Sequence, residues 1–228
     1  MQLRLTATPA AEDLVGLAGR ERELGLLAKR GFDVLAAAVL LLVLVPVLLV
    51  VCLLVRLSSP GPVLFRQQRV GQDGKWFSFY KFRSMYYGAD DSVHRAYYEQ
   101  LIEGSARPVG RSFKLEDDPR VTPIGRVLRR YSLDEFPQLF NVLRGDMSLV
   151  GPRPPIPYET DKYGQREWQR LTVRPGITGL WQVSGRSNLD FQAMIDLDLA
   201  YISDWSLLGD LQILLRTPWA VISARGAC

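Results

Sequence analysis

The chain has one histidine, His94, among 228 residues, and two cysteines, Cys52 and Cys228. A single imidazole excludes machinery built on several histidines and most zinc sites, which draw their ligands from His and Cys. His94 stands in the polar run ADDSVHRAYYEQ and reads as a solvated helix residue. Cys52 lies inside an apolar run and Cys228 is the last residue, so no disulfide framework is expected, which suits a reducing compartment. Internal repeats and low-complexity tracts are missing. A strong charge bias is missing too: 28 Lys and Arg face 24 Asp and Glu, for a formal net charge of +4. Such mild basicity suits lipid heads, nucleotides or nucleic acid alike, and no motif supports nucleic acid. What is abundant is apolar residue, 47% of the chain, enough to bury a domain-sized core.

Much of it lies in one run. Residues 34–55, VLAAAVLLLVLVPVLLVVCLLV, carry no charge. As a helix the run reaches roughly 33 Å, against a bilayer core of about 30 Å. It is too long for the apolar part of a signal peptide, and no small-residue cleavage site follows. Small residues do not precede Cys52 either, which disfavours a lipoprotein signal. Two membrane readings are left. A single spanning helix is the simpler one. Against it, Lys29 and Arg30 precede the run while Arg56, Arg66 and Arg69 follow, so both flanks carry the charge favoured on the cytoplasmic side. Pro46 also lies near the middle, where it removes a backbone hydrogen bond and crowds the carbonyl four residues back. A break there leaves two arms of about 18 to 21 Å each. A helix that enters, turns at Pro46 and leaves on the same face keeps both basic flanks in the cytoplasm. Kinked spanning helices tolerate proline as well, so the residues alone leave both arrangements open.

Beyond SSPGP (58–62), the stretch VLFRQQRVGQDGKWFSFYKFRSM predicts two strands joined around Asp73-Gly74. Helices are expected over 89–103, 124–131, from near Asp134 to Arg144 with Gly145 as the stop, and 190–203. EDDPRVTP (116–123) and GPRPPIP (151–157) read as loops, the second stiff and extended. TVRPGITGLWQVSGRSN (172–188) reads as loop with a short strand at 180–183, and Trp181 as core packing. The last stretch, WSLLGDLQILLRTPWAVISA, is apolar enough either to pack on the domain or to lie in a membrane interface.

SLDEFPQ (132–138) sets two acids side by side. Ser132 and Glu135 have capping-box spacing, with Asp134 in the first turn where negative charge suits the helix dipole. With Ser132 as cap, however, Pro137 falls beyond the first turn; with Asp134 as cap it falls inside it. The alternative is chemistry. Arg129, Arg130 and Arg153, with Lys81 and Arg83 from YKFRSM, are cations suited to a diphosphate. A carboxylate approaching phosphate meets like charge, about 4 kcal/mol per unit pair at about 4 Å and an effective dielectric near 20. That is about three decades in rate, so a carboxylate nucleophile needs arginines, a divalent metal or both. Glu135 is suited to give Mg2+ one oxygen, since that ion takes one or two carboxylates alongside substrate phosphates. A solvated basic face is the plain alternative for each arginine taken alone.

The chain resembles the bacterial sugar transferases, the monotopic phosphoglycosyl transferases. The resemblance begins at KRGFD (29–33) and runs nearly to the C terminus. KFRSM (81–85), DPRVTPIGRVLRRYSLDEFPQLFNVLRGDMSLVGPRP (118–154) and RPGITGLWQVSGR (174–186) carry it. Length and the GITGLWQVSGR block are most like exopolysaccharide-initiating hexose-1-phosphate transferases that lack the extra membrane helices of larger relatives. The resemblance implies transfer of a hexose 1-phosphate from a UDP-sugar to undecaprenyl (polyprenol) phosphate, with UMP released. It implies Asp134 as the nucleophile of a covalent aspartyl phosphosugar, Glu135 as its acidic partner near Mg2+, and Arg129 and Arg153 as phosphate or nucleotide ligands. Lys81 and Arg83 join them as expected substrate-binding residues.

The fold so implied is α+β and mostly helical, with a small β-hairpin and amphipathic interfacial helices. A variable leader over 1–28 precedes a proline-broken re-entrant membrane helix over 29–57. A cytosolic transferase domain over 58–228 follows, on the cytoplasmic face of the bacterial inner membrane. The membrane break is placed at Pro46. One departure is Val45, where family members often carry serine, whose hydroxyl would satisfy a carbonyl freed at the bend. Membrane lipid joins donor and acceptor as a partner, nucleic acid does not, and a homodimer is left open. The competing reading is a catalytically inactive membrane scaffold for polysaccharide assembly, disfavoured because both acids and both matched arginines are present.

Overall fold

The computed structural model describes residues 9–89, 95–96, 100, 118–185 and 189–223, with side chains from residue 22 onward. The helix expected over 89–103 falls almost wholly outside the described residues, as do His94 and Cys228. In chain order the elements begin with α1 (Pro9–Ser58), β1 (Leu64–Val70), β2 (Trp76–Phe82), α2 (Pro123–Arg130), α3 (Gln138–Arg144) and β3 (Ser148–Val150). The short helices α4 (Pro157–Thr160) and α5 (Gln165–Trp168) follow, then β4 (Gly176–Thr178), α6 (Leu180–Ser184), α7 (Phe191–Ser203) and α8 (Leu207–Ile222). The protein is mostly helical, with an antiparallel hairpin β1–β2 and a parallel pair β3–β4.

Four expectations need correction. Helix α1 stays helical on both sides of Pro46, so the chain does not leave helical structure where the break was expected. Pro46 withholds one N–H, but the turns before and after it pack on the same surface through Leu44 and Leu48. Residues 180–183 form helix α6 rather than a strand; the strand lies earlier, at Gly176–Thr178. There it pairs with β3, Ser148 opposite Gly176 and Val150 opposite Thr178. A Cβ on Gly176 would stand 2.1 Å from the Gly151 nitrogen, so only glycine permits this approach. Strands of three residues are too short to show a period of two, which hides them from pattern reading. The third correction is α4, a helical turn starting at Pro157, at the end of the loop expected over 151–157. The fourth, at Ser132–Pro137, belongs to the site.

One face of α1 is a stripe of buried or half-buried residues: Lys29, Asp33, Ala37, Leu41, Leu44, Leu48, Val51 and Val55. The spacing of three and four residues is that of one helix face. From residue 29 to 55 the stripe runs about 39 Å along the domain. Ala37 and Leu41 join the main core with Phe77, Phe79, Leu139, Val142, Met147 and Leu149. Val51 and Val55 join a second cluster with Phe82 and Leu128. The opposite face is apolar and bare: Leu42 is 75% exposed and Leu57 73%. Helix α8 packs on the domain, one of the two alternatives for the last stretch, and keeps a bare apolar face. It buries Ile213 and Asp210 on the domain and exposes Leu208, Leu215 and Trp219.

Polar pins hold α1 at both ends. Lys29 Nζ donates to Asp210 Oδ2 at 2.6 Å and to the Val150 carbonyl at 3.0 Å. Arg30 donates to the carbonyls of Val142 and Leu143, closing the C-terminal end of α3. Buried Asp33 accepts from the Leu149 N–H at 3.1 Å and the Ser148 hydroxyl at 2.8 Å. At the far end Arg83 donates to the carbonyls of Val55, Ser59 and Pro60. Asn141 of α3 accepts from the Tyr80 N–H and donates to the Ser78 carbonyl, tying α3 to β2.

Asp33→Ala should strand the buried Leu149 N–H, while the Ser148 hydroxyl keeps the Val150 carbonyl at 2.9 Å, at a cost of about 2–3 kcal/mol. In thermal unfolding of the detergent-solubilised protein this appears as a Tm lower by about 5–10 °C. An unchanged Tm would mean that the pin contributes nothing.

Candidate active site

The site forms where α2, β2 and the turn before α3 meet. Thr122 caps α2, its hydroxyl accepting from the Gly125 N–H at 2.9 Å. Gly125 lies directly on the chain at Ser84, where a Cβ would stand 1.9 Å from the Ser84 carbonyl oxygen. This approach brings Arg129, one turn on, to Ser84, whose hydroxyl accepts from Arg129 Nε at 2.9 Å. After α2 the chain turns through Ser132, at φ 53°, a left-handed conformation uncommon for a residue other than glycine. A single 3₁₀ turn, Leu133–Glu135, then carries the two acids, and Pro137 precedes α3.

Neither capping arrangement considered from the sequence is made. Ser132 makes no side-chain cap hydrogen bond, and the residue at the cap of α3 is Pro137, not Asp134. The reason is electrostatic. Glu135 is taken by cations on neighbouring elements: Lys81 Nζ of β2 donates to its Oε1 at 2.9 Å, and Arg153 Nη2 donates to the same oxygen at 2.9 Å. Lys81 Nζ also stands 3.7 Å from Asp134 Oδ2. Asp134 is 6% exposed, a recessed carboxylate rather than a surface one.

The two acids are pushed in opposite directions. Burial raises Asp134 above the ordinary aspartate value; Lys81 opposes this, and the neighbouring Glu135 charge adds to it. Burial also works to raise Glu135, but Arg153 and Lys81 outweigh it and hold Glu135 well below the ordinary range. Glu135 in turn raises Arg153. Burial lowers Arg129, partly offset by Asp134 and Asp118. Lys81, Arg129 and Arg153 thus face Asp134 and Glu135, three cations to two acids. That surplus, recessed beside Asp134, suits an anionic ligand such as a phosphate.

Behind this layer the half-buried Arg69, pushed down by desolvation to about 10, donates to the Pro154 carbonyl at 2.8 Å. Arg170 donates to the Arg153 carbonyl at 3.4 Å and to Asp198 Oδ2 at 2.8 Å. Both support the Pro-Arg-Pro turn that aims Arg153. Sequence reading missed Arg69 and Arg170, because their partners lie far away along the chain. Ser84 stood inside KFRSM without a role.

Of the residues expected at the site, Asp134, Glu135, Lys81, Arg129 and Arg153 come together. Arg83 does not. It is 5% exposed and spent on the Val55 carbonyl in the last turn of α1 and on the Ser59 and Pro60 carbonyls just beyond it, because β2 ends at Phe82. Arg130 is exposed beside Tyr131. Pro46 lines an apolar groove that also reaches Leu133, next to Asp134. Among the described residues no three His, Cys, Asp or Glu side chains converge as a metal cage. The donor set still fits Mg2+ held jointly with substrate phosphates. Glu135 commits Oε1 to Lys81 and Arg153, and among the described residues its Oε2 accepts no hydrogen bond.

Comparison with known proteins gives the family of the chain. The family model described as "Bacterial sugar transferase" matches residues 24–224. The exopolysaccharide production protein ExoY of Rhizobium meliloti is 42% identical over 210 residues, covering 92% of each chain. The galactosyl transferase CpsE of Streptococcus agalactiae is 45% identical over 203 residues, 89% of this chain and 44% of that one. The UDP-glucose:undecaprenyl-phosphate glucose-1-phosphate transferase of Escherichia coli is 41% identical over 199 residues, 84% of this chain and 39% of its own. The chain therefore spans less than half the length of the last two and nearly all of ExoY.

Arg153→Ala should leave Glu135 with Lys81 alone and lower stability by about 1–3 kcal/mol near neutral pH. That is less than for a fully buried pair, because both side chains keep some solvent. The folded-state pKa of Glu135 is depressed, so its contribution is present above the unfolded value of about 4.3 and fades as pH falls below it. The gap between wild type and variant in thermal unfolding should therefore narrow from pH 7 toward pH 3. A gap that widened on acidification would contradict the ion-pair account.

Proposed function

We infer the function from one premise: this chain belongs to the bacterial sugar transferase family. We propose that it is a phosphoglycosyl transferase that moves a hexose 1-phosphate from a UDP-sugar to undecaprenyl (polyprenol) phosphate and initiates exopolysaccharide synthesis. The names of the relatives support this reaction class: one names the UDP donor and undecaprenyl phosphate, and another exopolysaccharide production. The observation that carries the mechanism is the recessed Asp134 carboxylate with Lys81 3.7 Å away and Glu135 neutralised beside it.

In the first step an ionised Asp134 oxygen attacks the β-phosphorus of the UDP-sugar. A bond forms between that oxygen and phosphorus, the bridging phosphorus–oxygen bond breaks, and UMP leaves with its electron pair. Lys81, Arg129 and Arg153 offset the like-charge repulsion between carboxylate and diphosphate and take up charge on the transferring phosphoryl group. Ion-pairing of Glu135 to Lys81 and Arg153 keeps that acid from adding a bare charge. The elevated Asp134 pKa makes a more basic nucleophile once ionised, and the acid form accumulates as pH falls. In the second step an oxygen of the polyprenol phosphate attacks the same phosphorus and Asp134 leaves as carboxylate. Glu135 is the residue that would hold Mg2+ through its Oε2, and the ion when bound would supply further charge neutralisation at the phosphates.

The membrane arrangement we propose is single-faced and re-entrant, with Pro46 at the deepest part of α1 and the catalytic domain on the cytoplasmic side. Supporting it, α1 is fixed to the same polar domain at both ends, through Lys29, Arg30 and Asp33 and through Arg83. A helix crossing the bilayer would have to carry one of these ion- and hydrogen-bonded ends to the opposite face.

Two experiments test these readings. Donor, Mg2+ and enzyme without acceptor should release UMP in an amount equal to enzyme and add one hexose phosphate to residue 134 by mass spectrometry. Asp134→Asn should lose both, with turnover down by about three decades or more. Full turnover in that variant sinks the covalent scheme, and absence of any transfer by the wild type favours the scaffold reading. For the membrane arrangement, Leu24→Cys and Leu57→Cys, each with Cys52 and Cys228 replaced, should both resist an impermeant thiol reagent added outside intact cells. Both should react in inverted vesicles. Opposite accessibility of the two sites would establish a spanning helix.

A further inference from the structure

Beside the acid pair lies a groove of about 400 Å³ between α1 and α2. Its α1 wall is Pro46, Val47, Val50, Val51 and Leu54; the facing wall is Ile124, Val127, Leu128 and Leu133. Every lining residue is apolar. Val47, Val50 and Val127 are about half exposed, at 42%, 57% and 50%, so the groove is open along its length rather than sealed. Val51 and Leu128 form its floor as members of the second core cluster.

Three features define what fits. The groove adjoins the reactive carboxylate, because Leu133 immediately precedes Asp134. Helix α2 divides the two environments: Ile124, Val127 and Leu128 face the groove, while Arg129 faces the acid pair through its bond to Ser84. The α1 wall continues into the bare apolar face of that helix, where Val43, Leu49 and Leu53 are exposed. A ligand spanning both regions has an anionic head and an apolar tail, and the tail leads toward lipid. The volume lies within the range of small-molecule sites and is too small for a long lipid chain, so it takes only the part next to the head.

We propose that this groove binds the phosphate-proximal isoprenoid units of the acceptor lipid, placing its phosphate at Asp134. The assignment rests on the function proposed above and adds the acceptor-tail subsite, with Val50 and Val127 as opposed walls that gauge its width. It also gives Pro46 a role independent of any break in α1, since its ring is part of the lining.

The test separates the two half-reactions. Val50→Trp and Val127→Trp narrow the groove from opposite sides at half-exposed positions, where an indole is accommodated without unfolding. Each should raise KM for polyprenyl phosphate by about tenfold. The UMP burst from UDP-sugar without acceptor should stay equal to enzyme. Leu215→Trp, on the exposed face of α8 away from the groove, serves as the control for membrane seating and should leave KM unchanged. The same KM ratios should hold for farnesyl phosphate in detergent, whose short tail reaches only the groove. Unchanged KM in both groove variants overturns the proposal, as does an equal rise in the α8 control. An effect that appears in phospholipid vesicles but vanishes with farnesyl phosphate in detergent assigns the groove to bilayer acyl chains and also overturns it. A missing burst in the wild type would instead defeat the covalent scheme and leave the KM comparison intact.

Discussion

Two adjacent carboxylates cannot both stay ionised when buried side by side unless cations reach them, and much of the site follows from that constraint. Asp134 and Glu135 come from one 3₁₀ turn, but the charges that make their burial tolerable come from elsewhere: Lys81 from β2, Arg153 from the Pro-Arg-Pro turn and Arg129 from α2. Each source is then fixed in turn. Asn141 ties α3 to β2, Gly125 lets α2 lie on Ser84, and Arg170 and Arg69 support the chain around Arg153. The outcome is asymmetric. Glu135 shares one oxygen between two cations and stays ionised, whereas Asp134 is recessed and retains its basicity. Two identical functional groups thereby sit in different environments, one ion-paired and one recessed and basic, the division that the proposed mechanism uses.

The same economy governs α1. Its charged and polar residues do not decorate the ends of a hydrophobic anchor; they are bonded into the domain. Lys29 reaches Asp210, which also accepts from Tyr201 and Trp205. A helix placed by lipid alone would be bare all round, whereas α1 has a packed face about 39 Å long and a bare face opposite. In the membrane arrangement proposed above, any shift of α1 in the lipid therefore moves the domain, and with it Asp134. Helix α8 adds a second bare apolar surface, including Leu215 and Trp219, and is tied to α1 through the Lys29–Asp210 pair.

How much of this was legible depended on distance along the chain. The hairpin, α2, α7 and the Gly145 stop are local in origin, and turn residues, caps and apolar spacing announced them. The chemistry of the acid pair was legible as a choice between cap and site, because SLDEFPQ satisfies both patterns. What decides it, Lys81 and Arg153 closing on Glu135, lies 54 and 18 residues away. Arg83 shows the converse error: a cation two residues from Lys81 looks equivalent in sequence, yet the carbonyls in the last turn of α1 and just beyond it claim it. The β3–β4 pair was invisible because three-residue strands carry no period, and helix α6 forms where β-favouring residues stand because packing on α7 and α8 overrides propensity.

A soluble nucleotide sugar and a lipid that cannot leave the bilayer can meet only at a surface between the two media. The charge on Asp134 is tolerable there only if water and lipid are kept apart within a few residues. Helix α2 makes that separation with consecutive positions: Leu128 turns to the apolar groove and Arg129 to the acids. Shifting this helix by one residue would put an arginine among aliphatic side chains and a leucine against a phosphate site. Gly125 resting on the Ser84 carbonyl, where no Cβ can fit, fixes that register. The glycine has no chemistry of its own, yet the boundary between the polar and apolar halves of the site depends on it.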